Sequence, residues 1–182
     1  MPEPLKTFTT RVSGFLRPRH VVSDAEGKEL GVLEVSRNRL GLIVGGEWKP
    51  VKGEVLSIKR DPGLLRAQFA LWSEGREWLG STIRPGVMAR TIEMWTGGKP
   101  LRLVPRLEFG RGWRVVGAKS GMVAKVEHGL LGRGATLHTY RKMDFELLIF
   151  AYFVGSLALA ESALPTSLEA VDRGGSAAAA RT

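Results

Sequence analysis

The segment Asp144–Glu161, reading DFELLIFAYFVGSLALAE, restricts the possible folds more than any other stretch. Between Leu147 and Ala160 only Tyr152 and Ser156 carry a polar side-chain group, so no helical phase offers a polar face. A helix that is apolar all round must be enclosed, by protein or by lipid. Asp144 is a good N-cap residue and Glu146 places an acid in the first turn, which fixes where the helix should start. Arg141 and Lys142 precede it, as they would in a tail anchor spanning the bilayer with 143–164. Glu146 and Glu161 bound the apolar run, however, and leave it short of the roughly 18–20 residues a span requires. A buried core helix is the expectation, and the preceding chain must supply its walls.

That chain reads as short strands punctuated by glycine. In Leu65–Ser73, Leu65, Ala67, Phe69 and Leu71 alternate with Arg66, Gln68 and Trp72. In Leu101–Phe109, Leu101, Leu103, Leu107 and Phe109 alternate with Arg102, Arg106 and Glu108. Period-two alternation marks half-buried strands. Further strands are expected at His20–Ser23, Leu30–Arg37, Leu40–Val44, Trp48–Val51, Val55–Lys59, Trp78–Arg84, Thr91–Trp95, Trp113–Ala118, Met122–His128 and Ala135–Tyr140. Gly45-Gly46 and Gly53 separate some of them, Asp24–Lys28 and Asp61-Pro62-Gly63 are turn sequences, and Pro105 implies an edge, bulge or bend. Three hairpin-like units recur, VVSDAEGKELGVLEV, FALWSEGREWLGSTI and WRVVGAKSGMVAKVE, with turn glycines Gly27, Gly75 and Gly121. Three units are too few for a propeller, which has no place for an apolar helix.

The expected fold is therefore mainly β: a closed antiparallel barrel of about 12 strands around a buried hydrophobic C-terminal α-helix. A barrel of that size is wide enough to thread a helix, whereas eight-stranded barrels are filled by their own side chains. The 182 residues divide into a lead-in at 1–7, one barrel domain at 8–165 with its central helix at 144–161, and a flexible Gly/Ser/Ala-rich tail at 166–182.

Two motifs carry a resemblance to a known family. One is the strand pair V-x-D-x-x-G, here Val22-Ser23-Asp24-Ala25-Glu26-Gly27 onward; the other is Met143-Asp144-Phe145-Glu146-Leu147-Leu148 leading into the apolar helix. Over about residues 8–163 the chain resembles the tubby C-terminal-like superfamily, in its scramblase-like and LURP-one-related branch. The resemblance implies a closed twelve-stranded barrel around a C-terminal helix, and binding of phosphoinositides or action at membranes. The chain lacks the tubby signature end, a proline-rich N-terminal arm, a cysteine cluster for palmitoylation and an acidic calcium loop, so lipid scrambling is not implied.

The chemistry the chain can offer is limited. Without cysteine it has no disulfide, thiol nucleophile or thiolate metal ligand. His20, His128 and His138 lack metal-ligand spacing, so structural or surface roles are expected and no metal site is assigned. Asp24 and Asp61 belong to turns and Asp144 to a cap, which leaves no general acid/base pair to nominate. Gly112–Ser120 approaches a phosphate-binding loop, but an alanine precedes its lysine and a strand follows it; Gly129–Gly134 likewise precedes a strand. The expectation is a non-enzymatic protein without cofactor.

The usable signal is charge: +9 net, with a pI near 10.4. Arg102, Arg106, Arg111, Arg114, Lys119, Arg133, Arg141 and Lys142 form an anion site if they converge on one barrel face, and otherwise simply solvate its exterior. Trp72, Trp78, Trp95 and Trp113 either pack or flank such a patch. Acidic phospholipid headgroups are the first expected partner and nucleic acid the second, with a rim-based enzyme as a third possibility. The N-terminus lacks the apolar core of a secretory signal, so a cytoplasmic location, peripheral at the membrane, is expected.

Overall fold

The computed structural model describes residues 3–14, 18–60, 68–83, 91–98, 100–105, 112–129 and 134–158. Twelve strands precede the helix. They are β1 (Lys6–Ser13), β2 (Arg19–Asp24), β3 (Glu29–Arg37), β4 (Ile43–Pro50), β5 (Leu56–Arg60) and β6 (Phe69–Ser73), followed by β7 (Trp78–Ile83), β8 (Ile92–Thr96), β9 (Leu101–Pro105), β10 (Gly112–Gly117), β11 (Gly121–His128) and β12 (Gly134–Thr139). Each strand pairs antiparallel with its sequence neighbours, and β1 pairs with β12 to close the barrel. The seam runs from Lys6 opposite Thr139 to Arg11 opposite Gly134. Closure leaves no sheet edge exposed.

Inside runs the C-terminal helix, α1 (Phe145–Tyr152), continuing as a π-helical segment over Phe153–Ala158. Residues Leu148–Val154 are fully enclosed by the strands. Inward side chains such as Val22, Leu33, Trp48, Ile58, Leu71, Met94, Leu103, Val126 and Leu137 form one core with them. Among the described residues no helix is long and apolar enough to cross a membrane. The wall buries 148–156 of the described helix, whereas Phe145, Glu146 and Leu147 line the open end of the barrel. The expected helix end at 159–161 and the tail at 166–182 lie outside the described residues.

Several local readings need correction. Leu40–Val44 and Trp48–Val51 are not two strands: β4 runs unbroken through Gly45-Gly46, and Leu40 and Leu42 belong to the turn before it. The two glycines permit close approach instead of breaking the strand, since a Cβ on Gly45 would overlap the Ile58 carbonyl and one on Gly46 the Glu34 carbonyl. β1 begins at Lys6, inside the segment read as lead-in. Asp144 occupies the N-cap position, but its side chain makes no capping bond; only its carbonyl accepts, from Leu148 N–H at 3.2 Å. The expected α-helix turns π at Phe153, and there Gly155 lies so close to the Trp113 ring that a Cβ would sit 2.9 Å from it.

The three recurring hairpins are real: β2–β3, β6–β7 and β10–β11, each with a β-bulge and each four strands from the next. In the second of them the left-handed position belongs to Arg76 (φ 63°), one residue beyond Gly75, whereas Gly27 (φ 82°) and Gly121 (φ 66°) fill it in the others. A side chain there costs about 1–2 kcal/mol. Replacing Arg76 by glycine should therefore raise the unfolding free energy by about 1 kcal/mol after the added chain entropy is counted. Urea unfolding checks this, and an unchanged midpoint would contradict it.

Candidate functional site

Antiparallel up-and-down pairing sends alternate connections to opposite ends, so the barrel has two chemically distinct poles. At the first, the β2–β3, β4–β5, β6–β7, β8–β9 and β10–β11 turns surround the point where 141–147 enters the barrel. Here lies a concavity of about 1230 Å³. Phe8, Trp48, Leu56, Leu101, Phe145 and Leu147 form its apolar lining. Lys6, Lys28, Lys52, Arg141 and Lys142 contribute positive charge, and Glu29, Glu54, Glu77, Asp144 and Glu146 offset it one for one. This mouth is large but electrically balanced.

The opposite pole is not balanced. Arg11, Arg19, Arg37, Lys59, Arg60 and Arg114 lie at or near the strand ends there, and Arg39 lies in the β3–β4 turn. The described carboxylates of that half are Glu34, Glu47, Glu93 and Glu127, and each is engaged, Glu47 by Lys49 at 3.4 Å. Glu34 pairs with Arg19 at 3.2 Å and Lys49 at 2.7 Å, Glu93 with Arg102 at 3.6 Å, and Glu127 with Lys125 at 2.7 Å. Residues 15–17, 61–67, 84–90, 106–111 and 130–133 lie outside the described residues. Among the described residues the excess positive charge is thus concentrated at one end.

Between the poles, near the arginine-bearing end, a polar chain crosses the core. Ala135 N–H donates to Thr10 Oγ1 (2.8 Å), and the Thr10 hydroxyl donates to Tyr152 Oη (3.2 Å). This leaves the Tyr152 hydroxyl to donate to His20 Nδ1 at 2.9 Å. His20 is therefore neutral with its proton on Nε2. Burial, reinforced by the nearby Arg37 and His128 charges, lowers its pKa to about 4. Burial likewise raises that of Tyr152, keeping the hydroxyl protonated. The chain ties the helix to β1 and β2 beside the closing seam. One turn further on, Ser156 Oγ is buried without a hydrogen-bond partner.

A second polar chain runs over the outer wall, where Thr7 Oγ1 meets His138 Nδ1 (3.0 Å) and His138 Nε2 meets Glu127 (3.4 Å). Hydroxyl, imidazole and carboxylate share the connectivity of a nucleophilic triad. Thr7 and Lys125 are, however, the cross-strand partners of His138, and register alone accounts for the contacts. Among the described residues no group of three metal-ligating side chains occurs.

The eight basic residues singled out in the sequence are divided by this geometry. Arg141 and Lys142 line the mouth, and Lys119 sits in the β10–β11 turn of the same pole. Arg102 lies on the outer wall facing Glu93, Arg114 is on β10 near the arginine-bearing pole, and Arg106, Arg111 and Arg133 lie outside the described residues. The five that are described do not form one patch. Sequence reasoning missed Arg11, Arg19, Arg37 and Arg39, because strand polarity, and not proximity in the second half of the chain, is what groups them. Of the tryptophans, Trp48 is core and Trp113 packs on Gly155, while Trp78 and Trp95 are exposed.

No protein family, curated protein or solved structure matches the chain.

Proposed function

We propose that this protein is a non-enzymatic barrel that binds acidic phospholipid surfaces through its arginine-bearing pole. The observation that carries the reading is the segregation of charge: the mouth balances its cations one for one, and the opposite pole does not. A surface of this kind is drawn to an anionic bilayer, each arginine near the headgroups contributing about 1 kcal/mol at ordinary ionic strength. Arginine also forks onto phosphate oxygens with two parallel hydrogen bonds. The resemblance to the tubby C-terminal-like superfamily supports the same reading, and membership of that superfamily is part of the proposal, as is a peripheral, cytoplasmic location.

Flotation with phosphatidylserine-containing and pure phosphatidylcholine vesicles tests it. Recovery is expected with the acidic vesicles only. The double variant Arg11→Gln, Arg39→Gln should bind about 30-fold more weakly at low salt, from two lost charges. Equal recovery on both vesicle types would overturn the reading. Retention of single-stranded DNA at low salt without vesicle binding would transfer the same charge argument to nucleic acid.

A further inference from the structure

The β3–β4 turn at the arginine-bearing pole has an internal control at the mouth. In Asn38–Leu42, Asn38 Oδ1 accepts from the N–H groups of Leu40 (3.0 Å) and Leu42 (2.9 Å), Gly41 N–H donates to the Asn38 carbonyl (3.0 Å), and Asn38 N–H donates to that of Leu42 (2.9 Å). In Asp24–Lys28, Asp24 Oδ1 accepts from Glu26 (3.0 Å) and Lys28 (2.9 Å), with the same two backbone bonds and the same left-handed glycine. The two turns are one structure with different side chains. Where the mouth turn presents Glu26 and Lys28, the other presents Leu40 and Leu42. The turn geometry therefore does not call for leucine.

Nor does packing. Leu40 is 80% exposed and Leu42 40%, large hydrophobics held in water by a hydrogen-bonded turn, and Val44, 36% exposed, follows at the start of β4. The Arg37 guanidinium donates to the Gly41 carbonyl and braces the tip, and Arg39 lies within it. A rigid apolar tip with arginines at its base, on the pole that holds the excess positive charge, is complementary to an anionic bilayer: leucines enter the acyl boundary while arginines stay among the phosphates. Resting on the lipid-binding reading, we infer that Leu40, Leu42 and Val44 form a membrane-inserting tip, so that the barrel docks end-on with its mouth turned away from the bilayer.

The absence of cysteine makes a site-specific test clean. An environment-sensitive fluorophore on Leu40→Cys should shift to the blue on phosphatidylserine-containing vesicles, and the same probe on Glu26→Cys, the equivalent mouth position, should not. The swap Leu40→Glu, Leu42→Lys gives the tip the side chains of the mouth turn. It should fold and melt like the parent chain yet bind vesicles at least about tenfold more weakly. Flotation without a shift at position 40 would overturn the inference and leave lipid binding standing. No flotation at all would remove both. A concentration-dependent shift without vesicles would identify a second copy of the chain as the occupant and overturn it as well.

Discussion

Phe150→Asp should leave no folded barrel. Phe150 lies on the enclosed stretch of α1 and is fully buried at the axis of the barrel. Truncating such a phenylalanine costs about 3–5 kcal/mol through lost contacts and a cavity. The aspartate adds a carboxyl group in a core ringed by aliphatic side chains, with the further cost of either a buried charge or an unsatisfied acid. Together these approach or exceed the roughly 5–15 kcal/mol that hold an ordinary domain together. Without the helix the twelve strands have nothing to close around, so the loss should be global. Far-UV circular dichroism and the disappearance of a cooperative urea transition would show it. A soluble variant that still unfolds cooperatively would mean that the strands do not need the helix.

The second large effect is a dependence on pH localised to one side chain. His20 is held at a pKa of about 4, against 6.5 for a free histidine, by burial first and then by Arg37 and His128. Its folded value is the lower one, so below pH 6.5 the unfolded chain binds the proton better and stability falls as pH drops. The loss grows between 6.5 and about 4 and comes to about 3 kcal/mol over the whole window; above pH 6.5 this group contributes no slope. The chemistry is direct, because protonated Nδ1 can no longer accept from the Tyr152 hydroxyl, which in turn accepts from Thr10. Urea unfolding at about pH 7.5 and pH 5, where few carboxylates titrate, should show a loss of about 2 kcal/mol in the parent chain and a much smaller one in His20→Gln. Parallel losses in both would place the sensitive group elsewhere.

The tip and the mouth turn show why function was harder to read than fold. In sequence, Leu40–Val44 resembles the start of a strand, since Leu40, Leu42 and Val44 alternate as buried strand residues do. Only the hydrogen bonds of Asn38 show that Leu40 and Leu42 occupy a turn and face water. The basic residues behave likewise. Arg114 belongs by sequence with seven other basic residues of the second half, yet strand direction puts it at the same end of the barrel as Arg11, Arg19, Arg37 and Arg39. The histidines had no legible partners: the bond from His20 to Tyr152 joins residues 132 positions apart, and no local pattern encodes it.

The sequence by itself determined the wall and the axle. Period-two alternation marks half-buried strands and an all-apolar helix demands enclosure, because both follow from where each residue's side chain points along its own element. Those local rules give a wall of strands around one helix, although they miss β1 and divide β4 in two. The tertiary structure decided what depends on which end of a strand a residue occupies and on what lies across the barrel. It balanced the mouth, gathered the arginines at the other pole, set Tyr152 against His20 and left two leucines in water. Those relations join residues far apart in the chain, and only the closing of β1 on β12 sets their distances.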